Sequence, residues 1–138
     1  MRLGAHMSTA GGTFTAFKRG DEAGCDSMLI FTKSNRQWNA KPLTDEDVQQ
    51  YKEAAQENSH IQPVAVHASY LINIASPDAV LWEKSYQALK EEVERCGQLG
   101  IPLINFHPGS YMASSEEEGM NQIARGLKRL LVETEASA

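Results

Sequence analysis

His67 and His107 occupy matching places in two stretches of similar pattern. "PVAVHASYL" (63–71) and "LINFHPGSY" (103–111) each close an apolar run with a histidine, and a turn follows. Imidazole is a common metal ligand and suits zinc, with bonds of about 2.0–2.1 Å. Two imidazoles at the ends of adjacent strands can share one divalent ion. The alternative is that each ring bonds a backbone carbonyl at its own turn, and the spacing leaves both open. In "HPGSY" the Pro-Gly pair lets the chain leave the strand sharply. In "HASYLIN" Tyr70 and Leu71 fall at a loop tip, either as a wedge for a base stack or packed on the neighbouring helix.

The elements that must position these residues repeat one alternation four times. "RLGAHM" (2–7), "SMLIFTK" (27–33), "VAVHAS" (64–69) and "LINFH" (103–107) read as strands, apolar on both faces as a covered sheet requires. Between them lie helical patterns. Residues 12–24 place Phe14 and Phe17 on one face, and residues 44–58 open on Thr44 with acids in the first turn. Ser76-Pro77 predicts a cap and a first helical position. Trp82, Tyr86, Leu89, Val93 and Cys96 then form an apolar stripe, stopped by Gly100 and Pro102. Ser115 and Glu118 predict a capping box, with Met120, Ile123, Leu127 and Leu130 as the buried stripe beyond it.

Strands alternating with amphipathic helices imply a parallel sheet, either an open doubly wound sheet or part of a (β/α)8 barrel. Four units are half of such a barrel, which normally takes about 250 residues. Ligands in these folds collect at the carboxyl ends of the strands, where the pattern places His6, Thr32-Lys33, His67 and His107. A half barrel alone leaves two strand edges open, a liability that leaves three alternatives: a fragment of a longer barrel, pairing with a second copy, or a smaller closed form.

The totals set the class. The chain has 138 residues, 41% hydrophobic and 22% charged, as in an ordinary single globular domain. No apolar run is long enough to cross a bilayer, and the N-terminus has no apolar signal-peptide core. Cys25 and Cys96 are too few for a disulfide framework and suit reduced core thiols in a cytoplasmic protein. A net charge of −5 argues against indiscriminate polyanion binding. Yet residues 31–41, "FTKSNRQWNAK", carry Lys33, Arg36 and Lys41 and no acid. That loop is either a nucleic-acid contact or an ordinary solvated loop.

Four blocks in order, "GAHMSTAGG", "FTKSNRQW", "HASYLIN" and "RCGQLGIPLINFHPGS", resemble the endonuclease IV family of apurinic/apyrimidinic endonucleases. The resemblance runs through essentially the whole chain. It implies a (β/α)8 barrel with a trinuclear zinc site at its C-terminal face, acting in DNA repair by cleaving the phosphodiester 5′ to an abasic site. By the same resemblance His67 and His107 are ligands of one zinc. Arg36 and Gln37 belong to a loop that enters the DNA at the lesion, and Tyr70 and Leu71 to the wedge that helps extrude the abasic nucleotide. Lys33 and Asn35 are expected at phosphates, and His6 in packing or a supporting hydrogen bond.

The length departs from the family, whose chains are about twice as long. By the resemblance residues 1–138 are expected to be a single domain, the N-terminal half of the barrel. The family's carboxylate ligands and its other histidines come from the second half. Glu133 and Glu135, at the end of the fourth helix, are expected on the wrong side of the barrel to replace them. Two other readings follow. One is a non-catalytic half-barrel with weak DNA or metal binding. The other is a metal-dependent sugar isomerase or epimerase of xylose-isomerase type.

Overall fold

The structure, a computed structural model, describes residues 1–134. The order is β1 (Gly4–His6), α1 (Thr15–Glu22), β2 (Ser27–Ile30), α2 (Asp45–Glu57), β3 (Val64–His67), α3 (Ala79–Leu99), β4 (Leu103–Asn105) and α4 (Glu116–Thr134). The four strands form one parallel sheet in the order β1-β2-β3-β4. A doubly wound sheet reverses its strand order at a switch point. This one runs straight through, as consecutive units of a (β/α)8 barrel do.

Register and side-chain alternation give the sheet two unlike faces. Met28, Ile30, Val64 and Val66 point to the helices and are buried with Phe17 of α1 and Tyr51 of α2. Full burial of each such side chain is worth about 1.5–3 kcal/mol. The other face carries His6, Leu29, Ala65 and Leu103 in one row, with His67 opposite Asn105 in the next. Here His6 and Asn105 are exposed and Leu103 is 48% exposed. The expectation that both faces are covered is therefore corrected. Helices cover one face, while the face that lines the interior of a closed barrel is open at β1 and β4.

The helices form where their caps and stripes dictate. The Thr44 side chain accepts from the Asp47 N–H and the Asp47 carboxylate accepts from the Thr44 N–H, closing a capping box on α2. Trp82, Tyr86, Leu89 and Cys96 of α3 are buried as their spacing requires, with Val93 half-buried. Gly100 ends α3 in the left-handed region at φ 73°. Two expectations shift. The cap of α3 is Asp78, whose Oδ1 accepts from the Leu81 N–H at 2.7 Å. Ser76 is fully buried, and its hydroxyl accepts from the Asp78 N–H just ahead of the helix. In α4 the Ser115 hydroxyl accepts from the Glu118 N–H at 3.2 Å. Its buried side, however, is Gly119, Gly126, Leu130 and Thr134, with Ile123 and Leu127 partly buried. Met120 is 56% exposed; the close contacts of α4 are made at Gly119, against Tyr111, and at Gly126, against Trp82 and Ile74.

Candidate metal centre and nucleic-acid interface

The C-terminal ends of the strands bring five rings together. His67 stands 5.2 Å, centroid to centroid, from His107 and 5.0 Å from Tyr70. Tyr70 is 5.8 Å from both His107 and Phe31. His6 packs on Phe31 at 4.4 Å and lies 6.2 Å from His67. His67 is buried; Tyr70 covers it and remains 57% exposed. His107 is exposed and sits two residues past the end of β4, so it belongs to the turn and not to the strand it was expected to close.

The geometry selects one tautomer of His67. Its Nδ1 lies 2.7 Å from the carbonyl oxygen of Ala68. A carbonyl only accepts, so Nδ1 carries the proton and Nε2 keeps its lone pair. A backbone carbonyl holding the second ring nitrogen is the usual support of a metal-binding histidine. The sequence offered carbonyl bonding and metal binding as alternatives; the carbonyl bond is made at Nδ1, and it leaves the Nε2 lone pair unused by that bond. Partial desolvation, and next the neighbouring His67, hold the His6 imidazole below its usual pKa, which favours its neutral form. Among the described residues, no group of three or more His, Cys, Asp or Glu side chains could hold one metal ion. Glu133 is engaged on the helical side by Lys90 at 3.0 Å and Arg129 at 2.7 Å, and Glu135 lies outside the described residues.

The loop after β2 is fastened to α3 at several points. Glu92, 1% exposed, accepts from the Thr32 hydroxyl at 2.8 Å and from the Ser69 N–H at 3.1 Å. One buried carboxylate thus ties the exits of β2 and β3 together. Burial raises its pKa, an effect partly offset by the Thr32 hydroxyl. The Arg95 guanidinium donates to the carbonyls of Thr32 and Lys41, bracketing the loop. Lys84 lies 4.5 Å over the ring of Trp38. Held this way, the loop exposes Arg36 and Gln37 at its tip. Asn35 is half-buried, its carbonyl accepting from the Ser69 hydroxyl at 3.1 Å. Leu71 is half-buried beside the exposed Tyr70.

Lys33, expected at a phosphate, is engaged within the fold. Its ammonium donates to Glu91 at 2.8 Å and to the Trp38 carbonyl at 3.2 Å, and its side chain is 1% exposed. It holds the loop, and Arg36 carries the exposed charge at the tip. The sequence reading also missed Glu92 and Phe31. For Glu92 there was a signal: an acid three residues after Leu89 and four before Cys96 falls on the buried stripe. Between the first two loops, an open groove of about 460 Å³ runs from His6 and Phe31 to Ser34 and Asn35.

Comparison with known proteins agrees with this architecture. Residues 17–137 match the family described as xylose isomerase-like TIM barrel. The chain is 47% identical over 132 residues to "Probable endonuclease 4" of Chloroflexus aurantiacus, covering 96% of this chain and 46% of that protein. It superposes on endonuclease IV from Thermus thermophilus with a TM-score of 0.80 at 30% identity, covering 94% of this chain and 47% of that one. D-Psicose 3-epimerase from Clostridium cellulolyticum superposes with a TM-score of 0.69 at 17% identity, over 99% of this chain and 50% of that one, a likeness of fold alone. The chain spans about half the length of the relatives it matches. It belongs to the xylose isomerase-like TIM-barrel family, in which its sequence and its fold are similar to those of endonuclease IV.

Proposed function

We propose that this chain acts in DNA repair, in the zinc-dependent cleavage of the phosphodiester 5′ to apurinic/apyrimidinic sites in duplex DNA. The observation that carries the reading is the juxtaposition of His67, Tyr70 and His107 at the strand ends, beside a fastened loop that exposes Arg36 and Gln37. In this reading residues 1–138 are one domain, the N-terminal half of the family barrel.

The donor set fits zinc as part of a site. Two imidazoles 5.2 Å apart can each offer a nitrogen to one ion at about 2.0–2.1 Å, and His67 has the tautomer for it. They are half of a tetrahedral set, and further strands supply the rest of the family's trinuclear centre. When bound, zinc supplies Lewis acidity toward phosphate oxygens. The chain's own residues hold the substrate. Arg36 neutralises phosphate charge, and Asn35 and Gln37 approach the backbone at the loop tip. Tyr70 and Leu71 fill the gap where the abasic nucleotide has no base to stack. That gap is least costly at a lesion, which gives selectivity. Because Cys25 and Cys96 are free and buried, the reading places the chain in the cytoplasm. The exposed β1 and β4 edges take up further strands, in the isolated chain those of a second copy.

A second reading, a non-catalytic half-barrel that binds DNA or one metal weakly, is favoured by the lack of a third ligand among the described residues. Incision of a duplex with one abasic site, with zinc and with a chelator control, separates the two. Chelator-sensitive nicking 5′ to the lesion supports the endonuclease. Selective binding without nicking supports the half-barrel. Turnover of a ketose without DNA affinity contradicts both and supports the sugar epimerase.

A further inference from the structure

His107 reaches this cluster from a turn and not from a strand. It lies on an exposed turn beyond β4, and among the described residues no hydrogen bond orients its ring. Its place depends on what fixes the turn that carries it. Asn73, in the loop after β3, reaches across to that turn. Its Oδ1 accepts from the Ser110 N–H at 3.0 Å and its Nδ2 donates to the Ser110 carbonyl at 3.0 Å. The same Oδ1 accepts from the Ala75 N–H at 3.2 Å, and the Ala75 N–H also reaches the Pro108 carbonyl at 3.1 Å. Asn73 is itself anchored, since its backbone N–H donates to the Ser85 hydroxyl of α3, a residue with no exposed surface. Gly109, at φ 104°, completes the fit: a Cβ there would collide with the Asn73 side chain.

We propose that Asn73 is a positioning residue that holds His107 against His67 and Tyr70 by clamping both sides of the Ser110 backbone. The carboxamide is specifically required, because one planar group must both accept from an N–H and donate to a carbonyl. An aspartate keeps the acceptor but turns its second oxygen on the Ser110 carbonyl, where the two repel. The inference rests on the proposed zinc reading for its consequence, though not for its geometry.

The test compares the wild-type chain with Asn73→Asp and Gly109→Ala, the second disturbing the clamp from the opposite side. Zinc alone is titrated by calorimetry, and proton–proton contacts among the His67, Tyr70, His107 and Phe31 rings are followed by NMR. The expected result is a loss of zinc affinity of about 10–100-fold in both variants. With it, contacts from His107 to His67 and Tyr70 disappear while those between His67 and Phe31 persist. A merely structural role would lower thermal stability without this selective loss. Unchanged contacts of His107 in both variants overturn the proposal. If the wild-type chain takes up no zinc, the metal reading fails, and the ring contacts still decide the role of Asn73.

Discussion

His67 and His107 have unequal surroundings, and this sets what each contributes. His67 is buried, its Nδ1 proton on the Ala68 carbonyl, and its position is fixed before any ion arrives. His107 is exposed, packs on His67 and Tyr70, and is carried by a turn that Asn73 fastens. Removing either nitrogen leaves a lone imidazole, a far weaker ligand than a pair. His67→Ala and His107→Ala are each expected to lower zinc affinity by more than about tenfold, read by calorimetry against wild type. Retained affinity in both variants means the rings serve packing alone. The two histidines were visible from sequence because each ends an apolar run. The pairing of Lys33 with Glu91 was not, because those residues are far apart in the chain and meet only when α3 lies under the loop.

At the scale of elements, α3 is the platform of the site. Its buried face carries Glu92 and Arg95 beside Leu89 and Cys96, and those two polar side chains fasten the exits of β2 and β3. An acid held above its ordinary pKa keeps its proton in the fold at pH values where the open chain has lost it. Stability therefore falls as pH rises from the ordinary value of 4.5 to the raised folded value, and is level above it. Glu92→Gln keeps an acceptor and removes the ionisation. In urea denaturation at several pH values, wild type is expected to lose stability relative to Glu92→Gln as pH rises through that window. A difference independent of pH contradicts a buried, proton-holding Glu92.

Periodicity exposed the order of these elements, and their edges depended on local chemistry. Thr44 and Gly100 were legible caps because their partners are adjacent in sequence. Ser76 and Asp78 compete for one helix start, and the buried setting of Ser76 decided the matter in favour of Asp78. The stripe of α4 was misread through Met120, since close approach used glycines, which carry no hydrophobic signal. The open inner face of β1 and β4 was equally illegible. Apolar residues there suit a covered sheet whether or not the cover is present.

At the scale of the whole molecule, four βα units present one finished surface and one open one. Helices bury the outer face of the sheet, while Leu103 on the inner face of the edge strand β4 remains 48% exposed. Edges of this kind seek partners. The isolated chain is expected to self-associate at micromolar concentration in sedimentation velocity, and Leu103→Asp to weaken that association. A monomer at every concentration contradicts the edge-pairing expectation.

The strand-end cluster and its flanking loop are proposed to recognise a gap in the base stack. The most direct measurement is the affinity of the 138-residue chain, with zinc present, for a duplex carrying one abasic site and for the same duplex intact. The expected result is a preference for the abasic duplex of at least about tenfold, or about 1.4 kcal/mol, abolished by Tyr70→Ala combined with Leu71→Ala. Equal affinity for the two duplexes, or a preference that survives the double substitution, would contradict it.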